Sequence, residues 1–321
     1  MTYHSFFNII QHNMLPIKEC PVCQGGEFKK LFEDFDRNLK VDFKKFTLVK
    51  CRNCGLGFIN PQPEPEELSR YYSKEYQAAG NSDLFEHGPL SLVLSKAKNS
   101  FLKIFRVQPS KNVSYPHFEQ GKFLDFGCGT GRLINRYKIS YPNYDFFGVD
   151  ISERACDEAS KFNNVNIFCG TLKQAKYKDN FFDIISAYHV LEHVPNPKKT
   201  LVELNRILKP GGKIFISLPN FNSFERFVFG KYWKWIEIPR HLFHFNRKNL
   251  GLLLGDNSFK VESVVYPDTS LKIVQGLFYR DGRKKINPLV FKFVKYFLSF
   301  PLRKLHFVGN MSFKATKIKN V

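Results

Sequence analysis

The chain of 321 residues reads as an α/β protein: a largely parallel sheet covered by helices on both faces, preceded by a small cysteine-bearing module. Three observations predict this. From Gly121 onward, short apolar runs alternate with helical patterns: "KFLDFG", "DFFGVD", "VNIFCG", "FDIISAY", "GKIFISLPN" and "FKVESVVY". The first run leads into glycines at alternate positions and then a helix. Two CxxC pairs stand within the first 60 residues, before the alternation begins. A hydrophobic content of 43% suits a folded globule, and the length leaves room for one large domain and a smaller one.

At the N-terminus, "MTYHSFFNIIQHNML" has no basic lead, long apolar run or small-residue cleavage site, so no secretory signal is expected. No apolar run reaches the roughly 18 residues of a spanning helix. With four of its seven cysteines in CxxC pairs, the chain predicts intracellular metal chemistry rather than a disulfide framework, and a cytoplasmic protein. Cys20, Cys23, Cys51 and Cys54 form C-x2-C-x27-C-x2-C, each pair soon followed by a glycine that permits a tight turn. Four thiolates make a closed tetrahedral zinc (Zn2+) site, structural because no position is left for water. The long spacer accommodates a two-stranded hairpin, so residues 1–60 form an N-terminal segment and ribbon. Cys128, Cys156 and Cys169 are expected as ordinary core or loop residues.

Residues 61–119 read as a connector. Prolines in "PQPEPEEL" delay any helix until about Glu66, "EELSRYYSKEYQ" then forms a short helix, and "SLVLSKAKNSFLKIF", residues 91–105, forms another. Tyr71, Tyr72 and Tyr76 either pack or form a lid.

In "FLDFGCGTGR", Gly127, Gly129 and Gly131 let the backbone turn and approach a ligand without a Cβ in the way. The spacing differs from the G-x-G-x-x-G of dinucleotide-binding loops. Asp125 puts a negative charge where a pyrophosphate would be repelled and a cationic ligand attracted. Asp150 closes the next strand, where a carboxylate can accept from both hydroxyls of a ribose. Further on, "NPKKTLVELNRILKPGG" predicts a helix that starts after Asn196-Pro197 and stops at Pro210-Gly211-Gly212.

"LDFGCGTGR", "GVDIS", "FFDIISAYHVLEHVPNP" and "RILKPGGKIFISLPN" together resemble the successive motifs of class I S-adenosylmethionine-dependent methyltransferases over residues 120–265. The resemblance is nearest to ubiquinone-biosynthesis and cell-surface polysaccharide-cluster enzymes. It implies a Rossmann-like seven-stranded sheet whose last strand is antiparallel, with "FKVESVVY" and "MSFKATKI" as the sixth and seventh strands. The domain would then span 120–266, with an insertion at 267–309 and the final strand within 310–321. The resemblance also implies S-adenosyl-L-methionine as cofactor. Asp125 and the backbone of Gly127, Cys128 and Gly129 would hold its methionine part, in the loop closed by Gly131. Asp150 would hold the ribose and Ile151 flank the adenine. Where many relatives carry an acid for the adenine amino group this chain has Thr171, which leaves the backbone of Thr171 or Leu172 for that contact.

Methyl transfer from a sulfonium needs alignment and exclusion of water, and a base only when the nucleophile carries a proton. Histidine suits that task. His189, Glu192 and His193 follow the fourth strand, with His189 a base or cofactor contact and the other two bracing the loop. "KYWKWIEIPRHLFHFNRKNL" offers His241 as general base and Arg240 as binder of a substrate anion; the alternative is that His241 and His244 are buried against the scaffold.

The net charge of +20 is uneven: from Ser270 onward there are twelve Lys or Arg against Asp281 alone. Within that region the mostly apolar stretch 286–307 carries Lys292 and Lys295 on one helical face, which suits either a peripheral contact with the inner face of an anionic membrane or a packed insertion. The leading reading is a methyltransferase acting on an oxygen or carbon of a small intermediate, sugar-, glycan- or lipid-linked, as in polysaccharide biosynthesis. A ribbon ending in "CxxCGLxFxxP" resembles the N-terminal modules of such enzymes. An RNA base methyltransferase is the second reading, weakened by an all-cysteine ribbon and by "SAYHV" where adenine-directed enzymes carry an N-P-P-Y type motif. A non-catalytic cofactor-binding protein is the third. Oligomeric state stays open.

Overall fold

The computed structural model describes residues 14–72, 120–267 and 308–321. Within it, the two cysteine pairs flank an antiparallel hairpin. A short strand β1 (Met14–Leu15) is followed by β2 (Phe28–Asp34), β3 (Phe46–Cys51), β4 (Gly57–Ile59) and β5 (Gln62–Pro63), with β2 against β3, β3 against β4, and β1 against β5. Phe46, Leu48, Phe58 and Ile59 are buried in one hydrophobic cluster with Leu218, Phe221 and Phe243. Helix α1 (Pro65–Ser69) begins on a proline, whose missing N–H costs nothing at the first position of a helix. The second connector helix expected at 91–105, Tyr76 and the basic stretch 286–307 lie outside the described residues.

The larger sheet follows. Its elements are β6 (Gly121–Phe126), α2 (Arg132–Ser140), β7 (Tyr144–Asp150), α3 (Glu153–Ser160), β8 (Val165–Cys169), β9 (Phe182–Tyr188), α4 (Pro197–Ile207), β10 (Leu208–Pro219), α5 (Phe224–Phe229), β11 (Phe243–His244), α6 (Arg247–Asp256), β12 (Phe259–Val265) and β13 (Asn310–Lys317). Seven of these strands form one sheet in the order β12-β13-β10-β9-β6-β7-β8. Neighbours from β8 to β10 pair in parallel, while β13 is antiparallel to both β10 and β12, the arrangement the resemblance implied. Leu124, Ile185, Ile214 and Ile216 are fully or almost fully buried, as expected for strands covered on both faces. The chain enters at β6, builds outward through β7 and β8, then returns to β9 on the other side of β6. Ligands in open α/β sheets bind beyond the strand carboxyl ends at this kind of reversal.

Helix α4 starts where predicted, with Asn196 capping through Lys199 N and Pro197 in the first turn. It stops at Ile207, ahead of the Pro-Gly-Gly expected to end it. Leu208 is fully buried and extended and already pairs with Phe182 of β9, so tertiary burial ends the helix. The glycine pair lies within β10, between two register segments, with Gly211 at φ +76°. Among the described residues no helix is long and apolar enough to cross a membrane.

The ribbon is no detached module. Strand β11, from the loop after β10, pairs antiparallel with β4, Phe243 opposite Phe58 and His244 opposite Gly57. A Cβ on Gly57 would lie 2.6 Å from the Phe221 ring, so this junction requires a glycine. Beside it, Arg240 donates through Nη2 to Asp36 Oδ1 (2.7 Å) and through Nη1 to Asp36 Oδ2 (3.0 Å) and Tyr71 O (3.2 Å). Both charged side chains are 0% exposed. Removing one partner strands a buried charge. Arg240→Ala is therefore expected to cost about 3–5 kcal/mol of stability in denaturant unfolding, and Arg240→Met with Asp36→Leu to recover most of it. Unchanged stability in the single variant would show that the pair holds nothing together.

Candidate active site

At the carboxyl end of β6 the chain enters the glycine loop with Gly127 at φ +73°, Gly129 at +51° and Gly131 at +73°, backbone conformations that side-chain-bearing residues rarely adopt. Gly127 N and Cys128 N both donate to Val149 O, at 2.8 and 3.1 Å, hanging the loop on β7. A Cβ on Gly127 would meet Val190 Cγ2 at 2.0 Å, whereas one on Gly129 would meet nothing within 4 Å. One glycine is thus required by close packing and the next faces open space.

The two predicted acids flank this loop. Asp150 accepts from Gly129 N (2.8 Å) and from Ser152 N (2.9 Å), so the carboxylate holds the glycine loop and the start of α3 in register. Next to it, Ile151 is 67% exposed, an apolar side chain presented at the strand end. Asp125 is buried and accepts from Ser186 Oγ (2.6 Å). Burial pushes its carboxyl up to about 7, against the Ser186 hydrogen bond and helped by the negative charge of Asp150. A cation in front of the loop would favour the ionised form of Asp125. Thr171 N and Oγ1 both donate to Gln174 Oε1, at 2.9 and 2.8 Å, and Leu172 is buried, so this turn is closed on itself.

Across the reversal, His189 sits just past β9 at φ +53°, its N–H on Ser217 O (2.8 Å). Its side chain is 31% exposed. Nδ1 donates to Glu192 Oε1 (3.1 Å), and the ring stacks on Trp235 with centroids 4.9 Å apart and planes 6° off parallel. Val190, its neighbour in sequence, is the residue packed on Gly127. Glu192 is buried, which raises its pKa, and its backbone oxygen accepts from Leu242 N (2.9 Å) and Phe243 N (3.1 Å). His193 Nδ1 faces Arg240 O (3.1 Å) and Tyr72 Oη (3.0 Å).

The other loop histidines lie behind His189. His241 is 2% exposed and donates from Nδ1 to Trp235 O (2.8 Å). His244 is buried and stacked on Phe221. Burial pushes His193 and His241 down to about 4 and His244 well below the usual histidine value, so all three are neutral near pH 7. This is the buried, scaffold-bonded arrangement that sequence reasoning held as its alternative. A base must reach the proton it removes: His241 and His244 are buried, His193 is partly buried with Nδ1 on Arg240 O, and His189 is 31% exposed. Arg240 needs a firmer correction: its guanidinium fork is engaged by Asp36 and sealed from solvent, so it does not receive a substrate anion. Sequence reasoning missed Asp36, Trp235 as the stacking partner of His189, and Glu192 as its orienting carboxylate. "DFDRN" and "EIPR" carry no pattern that pairs them.

The cysteines converge as their spacing required. Cys20 Sγ lies 3.6 Å from Cys54 Sγ, Cys23 Sγ lies 3.5 Å from Cys51 Sγ, and all four sulfurs fall within 4.8 Å of one another. These separations exceed a disulfide, and they match the spacing of about 3.8 Å that tetrahedral zinc with bonds of about 2.3 Å imposes. Both turns repeat one backbone pattern: Cys20 N to Gly25 O with Gln24 N to Cys20 O, and Cys51 N to Leu56 O with Gly55 N to Cys51 O. In the first, the left-handed residue is Gln24 (φ +60°) rather than the glycine expected there. The hydrogen bond between the Cys20 and Cys54 side chains pulls Cys20 down and pushes Cys54 up, and burial pushes Cys23 up.

The Methyltransferase domain family matches residues 102–264, half of the chain. A demethylmenaquinone methyltransferase of Symbiobacterium thermophilum is 33% identical over 135 residues, covering 38% of this chain and 53% of the relative. A ubiquinone biosynthesis O-methyltransferase of Coxiella burnetii is 35% identical over 104 residues, covering 31% and 44%. An uncharacterized methyltransferase of Schizosaccharomyces pombe is 32% identical over 105 residues, covering 29% and 38%. The chain therefore spans about half or less of the length of these relatives. Among solved structures, the complex between the Haloferax volcanii Trm112 methyltransferase activator and a methyltransferase contains a chain that superposes with a TM-score of 0.50 at 16% identity, over 70% of this chain and 96% of that one, a likeness of fold. Through the domain at residues 102–264, the chain belongs to the S-adenosylmethionine-dependent methyltransferases.

Proposed function

We propose that this protein transfers a methyl group from S-adenosylmethionine to an oxygen or carbon of a small biosynthetic intermediate, with His189 as the base that takes the acceptor's proton. The observation that carries this is the placement of His189. It is the part-exposed ring at the end of β9, beside the glycine loop, with Nδ1–H on a buried carboxylate and so a lone pair on Nε2. A positive φ at a residue with a side chain is a strained conformation of the kind that clusters at active sites. The stack on Trp235 fixes the ring plane.

When bound, the cofactor supplies a methyl group already activated by a sulfonium. Asp125 and the backbone of Gly127, Cys128 and Gly129 would hold its amino acid end, Asp150 its ribose and Ile151 its adenine, with the backbone at Thr171 or Leu172 along the adenine edge. The open space at Gly129 and the exposed Ile151 support the fit. A sugar-derived, glycan or lipid-linked acceptor remains our reading of the resemblance and of the aromatic loop around Trp235, and the quinone-directed names of two relatives support a small-molecule acceptor more broadly. The four cysteines, on this reading, hold one structural zinc.

Three measurements test these assignments. Incubation with labelled cofactor and fractionated cell extract should label a sugar-nucleotide or lipid pool; label in RNA would favour an RNA methyltransferase, and saturable cofactor binding with no label a non-catalytic protein. With the acceptor in hand, His189→Ala should lower kcat by about 10²–10⁴-fold while cofactor Kd stays unchanged, and full turnover would remove His189 from the mechanism.

Cofactor affinity should depend on pH through Asp125. Its carboxyl is neutral below about 7 in the free protein and ionised above it. Binding of a cationic ligand favours the ionised form, so affinity should rise as pH climbs through 7 and then level. Calorimetry on Asp125→Asn should show weaker binding without that rise. A wild-type affinity flat from pH 6 to 8 would count against the assignment.

A further inference from the structure

Next to His189 lies a second cluster of Lewis-basic atoms, which shares only the carboxylate of Glu192 with the proposed base. One carboxylate oxygen of Glu192 and one ring nitrogen each of His193 and His241 lie within 4.8 Å of one another. Glu192 is 1% exposed and His241 2%, with His193 partly buried between them. Hydrogen bonds constrain which atoms carry protons. His241 Nδ1 faces Trp235 O, and a carbonyl only accepts, so that Nδ1 holds the hydrogen and Nε2 a lone pair; His193 Nδ1 faces Arg240 O, which calls for the same tautomer, and Tyr72 Oη, a hydroxyl that can accept from it or donate to it.

The carboxylate adds to the conflict. Glu192 Oε1 accepts from His189, but Oε2 is buried and has no hydrogen-bond partner among the described residues. Glu237 Oε2 lies a further 3.7 Å from His241 Nε2. A buried carboxylate oxygen without a hydrogen-bond partner among the described residues thus lies beside two imidazoles, an arrangement that a cation bound by all three would resolve.

We propose that Glu192, His193 and His241 form a two-histidine, one-carboxylate site for a divalent transition metal of the zinc type, separate from the four-cysteine cluster. Two imidazoles select zinc or its first-row neighbours over magnesium or calcium, which prefer all-oxygen ligands. Nδ1–H bonded to a backbone carbonyl is the outer contact that orients metal-bound histidines and fixes their tautomer. Nitrogen and oxygen ligands at about 2.0–2.2 Å from a tetrahedral ion stand roughly 3.4 Å apart, so side-chain rotations that close the cluster by an ångström or so complete the site. Three protein ligands leave a coordination position open. The ion would tie the segment after β9 to the loop after β10, one carboxylate away from His189.

The test is cobalt titration of the metal-stripped full chain, followed by metal content and absorption spectrum. Wild type should bind two equivalents, one giving intense thiolate-to-cobalt charge transfer and one giving weak visible bands alone. His241→Ala and His193→Ala should each bind one equivalent with the thiolate band intact, which also reports that the ribbon has folded. Glu192→Gln, nearly the same shape without the charge, should weaken the second equivalent by at least about tenfold. A wild type that binds one equivalent, all of it to thiolate, overturns the site. So does a second equivalent that survives both histidine variants.

Discussion

A buried ion pair, Arg240 on Asp36, ties the loop that follows β10 to the ribbon beside the β11–β4 pairing, and the candidate active site is built against that loop. The pair joins positions 204 residues apart, with the carbonyl of Tyr71 as a third contact for the guanidinium. A buried charge without its partner is costly, so the ribbon hairpin and the loop are ordered together or not at all. From Arg240 the consequences run outward: its carbonyl orients His193, Trp235 O orients His241, and the Trp235 ring backs His189. The ribbon is thereby joined to the loop that carries Trp235 and His241.

The cofactor side rests on a different tension. Burial raises the Asp125 carboxyl, and the negative charge of Asp150 adds to the effect. Asp150 is kept in place by two backbone N–H groups, Asp125 by one serine hydroxyl. That leaves a glycine loop with a concentrated need for positive charge in front of it. A ligand with an ammonium and a sulfonium satisfies the need, and a pyrophosphate would worsen it.

Much of this was legible in one dimension. Strand and helix periods, the three glycines, the acids that follow β6 and β7, and the two CxxC pairs are local patterns whose chemistry follows from spacing. They sufficed for a parallel sheet with a covered core and for the cysteine cluster. Helix α4 shows the limit on this scale: Pro-Gly-Gly is a strong local stop, but the burial of Leu208 against β9 ends the helix sooner.

The roles in the histidine-rich loop belonged to the tertiary structure. Arg240 and His241 have the residue types of an anion binder and a base, and nothing within "EIPRHLFHF" shows that one meets Asp36 and the other turns inward. The sequence by itself determined the run of strands and helices, the glycine loop and the two CxxC pairs, because each is a pattern of neighbours a few residues apart. Which histidine reaches the surface, which carboxylate orients it and which arginine is spent on the scaffold depended on contacts across as many as 204 positions. Burial there decides whether a charged group is available for chemistry or is already paired.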